Sequence, residues 1–446
     1  MEPVRLLRIT TMAFLLCGLT LGATAQQGAV KRLTLKEAVE LALRNNLGVL
    51  LARAQIGDAE GTRERQLSGL LPRVNGVSQA SLQNRNLQVA GISFPGVPVT
   101  VPLFAFYDFR VTGSQPLIDR QAYHGWKASV QQEQSARLSY TDTRELVVRQ
   151  AAGLYFTSQA AAARVQAAES RITTSETLEK LARDRRSQGL ATGVDVVRAQ
   201  VQMARDQQNL LVAQNAYQTS LLSLARFLGL EPGTPLELAE PLQFHPVEIP
   251  VPEQAFGTAL AARTDYRALV AQREALAERQ KAAHARYLPK LAVAGDYGAI
   301  GRTFATLTRT GVLAGNLTVT FFDRDRNGEQ VQLTSRIQGL NAQIDDLARA
   351  IDQEVRQAIL DLRSTEQQVK VTEAVLNLSR RELELAQDRF RNGLGDNIEV
   401  VTAQDAVAGA QNESITALAR HADAAMALVR ALGLPETSTL IDTGKP

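Results

Sequence analysis

The four histidines are the side chains of this 446-residue chain best suited to metal binding or proton transfer. His124, His245, His284 and His421 lie in separate segments and lack the short ligand spacing of a zinc site. The glycine-rich run 295–301 opens no predicted helix, so it is not a phosphate-binding loop. We therefore expect surface or packing roles for the histidines, no cofactor, no bound metal and no enzymatic activity.

One stretch occurs twice, at Asp184–Gln200 and at Asp388–Gln404, and the two copies align without a gap at an offset of 204 residues. Each copy centres on Gly-Leu and lies between two long helix-forming runs. This pattern predicts two antiparallel helices joined by a tight turn. The glycines allow a positive φ, and the leucines would offer exposed apolar contacts. The candidate functional residues at these two tips are Gly189, Leu190, Gly393 and Leu394.

An acidic residue follows each glycine by six positions, Asp195 in the first copy and Glu399 in the second. An acid in the first turn of a helix is stabilised by the helix dipole, which is one interpretation of both residues. Asp396 and Asn397, just before Glu399, have the residue types of a helix N-cap.

Long helices must position these tips. Residues 120–187 contain no proline, and a continuous helix over this segment would be roughly 100 Å long. A second long helix is predicted from about residue 327 to residue 391, with apolar residues at alternating steps of three and four. Coiled coils and helical tubes contain helices of this length, whereas globular domains rarely do.

The chain divides into a signal peptide (1–25), a first structural repeat (26–240), a second repeat (241–434) and a flexible tail (435–446). Each repeat contains helices, a pair of strands and a long hairpin, and the strand pairs are predicted at about 73–118 and 290–322. The net charge of +3 is small and the charges alternate in sign, so we expect no nucleic-acid partner.

Four strands of about membrane-spanning length cannot form a closed sheet. An open sheet edge in lipid would leave backbone groups unpaired at a cost of several kcal/mol each. We therefore expect several copies of the chain to share one transmembrane β-barrel, with the long helices extending it as an α-barrel. The fold class is mainly α with a small β part.

The chain resembles the outer-membrane factors of the TolC family, the exit ducts of tripartite efflux pumps and type I secretion systems. The resemblance covers almost the whole mature sequence and rests on duplicated motifs in matching order. These are the helix-to-strand junctions Leu71–Val74 and Leu288–Leu291, the strand exits Gln115–Asp119 and Val319–Asp323, and the two Gly-Leu tips.

The resemblance implies a homotrimer in the outer membrane, in contact with its lipid, whose helices form a tube across the periplasm. It implies that the Gly-Leu tips dock a periplasmic adaptor (membrane fusion) protein that connects to an inner-membrane pump. It also implies that Asp195 and Glu399 constrict the pore aperture. Passive efflux of small molecules is the function we expect. A type I protein secretion duct and a periplasmic coiled-coil scaffold are the alternatives.

Overall fold

The computed structural model describes residues 31–91, 95–96, 99–231 and 233–434. The predicted signal peptide and the predicted tail lie outside these residues. The helices and strands of the described residues follow in chain order: β1 (Lys31–Leu33), α1 (Leu35–Asn45), α2 (Leu47–Ser68), β2 (Arg73–Asn86), β3 (Thr100–Ile118), α3 (Arg120–Ser187), α4 (Gly193–Phe227), β4 (Leu236–Leu238), α5 (Pro252–Ala262), α6 (Thr264–His284), β5 (Lys290–Gly301), β6 (Thr308–Thr318), α7 (Arg324–Arg391) and α8 (Asn397–Ala431).

The two predicted long helices are confirmed, and each is 68 residues long. Both begin at an aspartate N-cap. The Asp119 side chain accepts a hydrogen bond from the backbone N–H of Ala122, and the Asp323 side chain accepts one from Asp325. Such caps satisfy backbone donors that the first helical turn leaves unpaired. Helices α4 and α8, which return from the tips, are 35 residues each. The division of the chain into two repeats stays a prediction.

Strands β2, β3, β5 and β6 form an antiparallel sheet in the order β2-β3-β5-β6. A line across the sheet joins Asn75, Thr112 and Asp296, and this face also carries an ion cluster in which Arg110 contacts Asp108 and Asp296. The face of the sheet that carries these side chains is therefore largely polar.

The opposite face of this sheet is largely apolar, because side chains alternate between the faces along each strand. Val74, Val111, Tyr297 and Leu313 lie on this face, and each is more than half exposed. An isolated chain would thus leave a large apolar surface uncovered.

The strand boundaries differ from the prediction. The second strand pair was expected to end near residue 322, but its last strand, β6, spans Thr308–Thr318. Its register with β5 ends at Lys290 opposite Thr318, so Phe321 and Phe322 follow the strand. The described residues also contain two short strands outside the four expected, β1 and β4, which pair with each other in parallel.

The helices pack side by side in the same order as the strands. In the described part of the chain, α3 packs against α4 and α8, and α8 packs against α7. Nearer the sheet, α3 packs against α2 and α6, and α6 packs against α7. The chain is therefore about four elements wide in the sheet, in the helices near the sheet and in the helices near the tips. One edge is formed by β2, α2 and α4, and the other by β6 and α7.

A buried ion network joins these helices. Arg430 of α8 donates to Glu145 of α3 at 2.6 Å and also contacts Asp142 and Asp265. Burial raises the pKa of Asp142 and of Glu145, and the nearby Arg430 guanidinium opposes that rise. The network therefore depends on Arg430 to balance two carboxylates that are partly withdrawn from water.

None of the helices in the described ranges is both long enough and apolar enough to cross a bilayer.

Candidate functional site at the helical tips

The first tip is a helix C-terminus closed by a left-handed glycine. Gly189 has a φ of 74°, and its N–H donates to the carbonyl of Arg186 at 3.0 Å. The N–H of Leu190 donates to the carbonyl of Arg185 at 2.8 Å. This pair of bonds is the Schellman motif, in which a residue with positive φ satisfies the last carbonyls of a helix. The predicted need for glycine at this turn is confirmed.

The second tip repeats this geometry. Gly393 has a φ of 75°, and its N–H donates to the carbonyl of Phe390 at 3.2 Å. The N–H of Leu394 donates to the carbonyl of Arg389 at 2.8 Å. The matched sequences therefore form matched turns.

An arginine supports the leucine carbonyl at each tip. The Nη2 atom of Arg185 donates to the carbonyl of Leu190 at 3.3 Å, and the Nη2 atom of Arg389 donates to that of Leu394 at 3.2 Å. The leucine side chains project into solvent, with 64% of Leu190 and 73% of Leu394 exposed. Each tip thus presents one apolar side chain on a fixed backbone.

Asp195 is half-buried and takes part in a capping box with Thr192. Its Oδ2 atom accepts from the Thr192 backbone N–H at 2.9 Å and from the Thr192 hydroxyl at 2.7 Å. The hydroxyl bond is the main reason that the pKa of Asp195 lies below its ordinary value. These contacts agree with the helix-capping interpretation of Asp195.

Glu399 is more exposed than Asp195 and has a different partner. Its Oε2 atom lies 3.3 Å from Nε of Arg389, the arginine that supports the second turn. The N-cap of this helix is Asp396, as predicted, and its side chain accepts from the backbone N–H of Ile398. The two acidic positions are therefore equivalent in sequence but not in their contacts.

The two tips are joined to each other, which the sequence did not reveal. Asn397 is fully buried, and its Nδ2 atom donates to the carbonyl of Asp195 at 2.9 Å. The guanidinium of Arg185 lies 4.7 Å from the ring centroid of Phe390. The only sequence signal for this contact is that the second copy has Phe390 where the first has Arg186.

The histidines stay apart in the structure. His124 contacts Glu278 at 2.7 Å, and His421 is buried between Thr365 and the backbone of His245. Within the described residues, no group of three or more histidine, cysteine, aspartate and glutamate side chains is arranged to hold a metal ion.

The family described as outer membrane efflux protein matches residues 38–230 and 255–434 of this chain. The chain belongs to the outer membrane efflux protein family. This membership confirms the resemblance, the outer-membrane location and the role of an exit duct in efflux, and it describes a channel protein rather than an enzyme.

Two curated relatives of this outer membrane efflux protein come from Pseudomonas putida. The pyoverdine export outer membrane protein OpmQ is 23% identical over 414 residues, which cover 90% of this chain and 85% of OpmQ. The toluene efflux pump outer membrane protein TtgC is also 23% identical, with 90% of this chain and 82% of TtgC covered.

Solved structures of outer-membrane channels share the fold of this outer membrane efflux protein. VceC from Vibrio cholerae superposes with a TM-score of 0.77 at 18% identity, over 90% of this chain and 96% of VceC. CmeC from Campylobacter jejuni superposes with a TM-score of 0.78 at 16% identity, over 92% and 88% of the two chains. The mainly helical fold with a small β part is confirmed by this likeness.

Proposed function

We propose that three copies of this chain assemble into one tube that carries small molecules across the periplasm and the outer membrane. The observation that carries the proposal is that the chain has two unpaired edges at every level. A layer with two different free edges can close into a ring when copies join head to tail, and the closed ring leaves no edge exposed.

In the sheet, the free edges are β2 and β6. Neighbouring copies would pair β6 with β2, so that every backbone donor and acceptor within the membrane finds a partner. The apolar face with Val111, Tyr297 and Leu313 would contact the lipid. The polar face with Arg110 and Asp296 would line the pore. A periplasmic scaffold would have no use for such a sheet, so we favour the exit duct over that alternative.

In the helical part, the outer helices α4 and α7 both carry exposed apolar side chains. On α4 these are Val194, Val197, Val201, Leu211 and Leu222. On α7 they are Val331, Leu360, Val371, Leu378 and Leu385. Packing α4 of one copy against α7 of the next would remove both sets from water, which is the driving force expected for a coiled-coil seam.

The number of copies follows from the strands and the family together. Closed membrane sheets begin at about eight strands, so four strands per chain require at least two copies. The resemblance to TolC proteins implies three. Each protomer would then place two tips at the inner end of the tube.

We propose that the inner end docks a periplasmic adaptor through Leu190 and Leu394, which connects the duct to an inner-membrane pump. The support is the pair of matched turns, each fixed by a Schellman motif and an arginine, with its leucine exposed. Apolar side chains held on a rigid backbone lose little conformational entropy on binding, so they suit a docking surface.

We also propose that Asp195 and Glu399 narrow the aperture. Three copies would bring six carboxylates to the inner end, where they would attract cations and repel anions. The contact of Glu399 with Arg389 would moderate this effect, and the Asp195 capping box would fix the side chain on the wall.

Small molecules are the cargo that we favour over secreted polypeptides. Pyoverdine and toluene, printed in the names of two relatives, are both small molecules. These names support small molecules as the class of cargo for this chain.

A cysteine pair tests the head-to-tail seam. Val201 of α4 and Leu378 of α7 lie at similar distances from the tips and on opposite edges of one chain. The only native cysteine, Cys17, lies in the predicted signal peptide. A short bismaleimide added to V201C/L378C cells should produce covalent dimers and trimers on denaturing gels. Each single variant serves as the control, and the absence of intermolecular products from the double variant would reject the seam.

A further inference from the structure

A cleft lies between α4 and α8 with α3 and α7 beside it, about 10 to 27 residues along the helices from the tips. Its volume is about 520 Å³, within the range of small-molecule pockets. Its walls combine small and apolar residues with a few polar ones. The apolar contribution comes from Ala168, Val212, Ala213, Leu383 and Val407.

One polar side chain in this cleft has no partner. Gln404 is 3% exposed, and neither its Nε2 nor its Oε1 atom makes a hydrogen bond within the described residues. A buried amide without partners costs about 1–3 kcal/mol, so native structures rarely retain one without a use.

The equivalent glutamine in the first half of the chain has a carboxylate partner that Gln404 lacks. Gln404 aligns with Gln200 in the repeated stretch, and the Nε2 atom of Gln200 donates to Oε1 of Glu179 at 3.2 Å. The residue that aligns with Glu179 is Leu383, which lines the cleft. The second half therefore keeps the glutamine and lacks its carboxylate.

The cleft also has an excess of positive charge. Arg164, Arg171 and Arg380 line it, whereas Asp206 is the one acidic residue among its lining residues. Arg171 also pairs with Asp405 beside the cleft, so the excess comes from Arg164 and Arg380. Asp206 is fully buried and already engaged by Arg171, Ser175 and Gln202. Arg164 donates to the neutral hydroxyl of Thr416, so its charge is not balanced there.

We propose that this cleft binds a small organic carboxylate. Its carboxylate accepts from the Gln404 amide, as the Glu179 carboxylate accepts from Gln200, and the charges of Arg164 and Arg380 balance it. Its apolar body packs against the valines, alanines and leucine of the walls. The site lies within one chain, so it does not depend on the proposed trimer.

Fluorine NMR of the purified full-length protein in amphipol tests the site. The probe is 4-(trifluoromethyl)benzoate, and the neutral comparison is 4-(trifluoromethyl)benzyl alcohol. We expect saturable broadening of the benzoate signal and at least tenfold weaker binding of the alcohol. Q404L should weaken benzoate binding about tenfold, because a hydrogen bond to a charged group is lost. Q200L, the matched variant in the first half, should leave binding unchanged.

The variant L383E gives the sharpest outcome. It restores in the second half the carboxylate that the first half has, so Gln404 gains an internal partner and the cleft gains a negative charge. Benzoate binding should fall by more than tenfold while the protein melts no earlier than wild type. Unchanged binding in L383E would overturn the proposal. So would equal losses in Q404L and Q200L, or equal affinities for the benzoate and the alcohol, which would indicate a hydrated apolar cleft without a carboxylate site.

Discussion

Truncation of the two tip leucines is the perturbation whose effect can be estimated most directly. Leu190 is 64% exposed and Leu394 is 73% exposed in the free protein. Full burial of a leucine side chain contributes about 1.5–3 kcal/mol, so docking that covers the exposed part contributes about 1–2 kcal/mol at each tip. The double variant L190A/L394A should then weaken adaptor binding by roughly 30-fold to several hundred-fold.

The assay is a titration of the purified adaptor of the host pump against the immobilised protein, paired with dye efflux from intact cells. Folding should be unaffected, because the leucines contribute little buried surface to the isolated chain. L146A is the matched control, since Leu146 is 47% exposed but lies on α3, away from the turns and outside the proposed seam of α4 and α7. Wild-type affinity and efflux in L190A/L394A, or an equal loss in L146A, would refute the docking role of the tips.

Three further predictions concern the aperture, the ion network and the turns. D195A/E399A should raise single-channel conductance or reduce cation block in planar bilayers, and wild-type behaviour would mean that the acids only support the helix ends. R430M should lower stability by about 3–5 kcal/mol, because buried carboxylates lose their partner. In the folded variant the pKa values of the Asp142 and Glu145 carboxyl groups lie above their unfolded values. The melting temperature should therefore fall more at pH 8 than at pH 5. An equal loss at both pH values would contradict this reasoning. G229A should destabilise more than G189A in thermal melts. Both positions have positive φ, but an added Cβ at Gly229 would lie 2.7 Å from Cβ of Asn45, whereas the position at Gly189 is open; similar melting temperatures would show that the predicted clash is relieved.

The two long helices could be predicted from the sequence to within about three residues. The long helix predicted at 120–187 is α3, because a proline-free run between Asp119 and the Gly189 turn has clear signals at both ends. The ends of α1 also depend on local residue types: Thr34 caps its start through a capping box with Glu37, and Asn46 separates it from α2.

The strands were predicted less well. Only residues 107–114 of β3, which spans Thr100–Ile118, alternate clearly between apolar and polar side chains. The outer parts of β3 and most of β6 contain glycine, threonine and proline without clear alternation of apolar and polar residues. Pairing with the neighbouring strands decides where these strands begin and end, and a single sequence window does not contain that information.

At the tips, the turns were predictable and the links between them were not. Gly189 and Gly393 are predicted to have positive φ because glycine adopts this conformation without steric cost. The bond from Asn397 to the Asp195 carbonyl joins residues about 200 positions apart, and it exists only because the two hairpins lie side by side. The sequence alone also does not show that the Gln404 amide lacks a partner. The only sign of it is that Leu383 stands at the position that aligns with Glu179.

The symmetry of the assembled protein tests the central account most directly. End-on electron micrographs of the purified chain in lipid nanodiscs should show rings with three-fold symmetry around a central pore, and side views should show a long extension on one side of the disc. Solid rods, or rings of another symmetry, would contradict a trimeric tube closed by the edges β2–α4 and β6–α7.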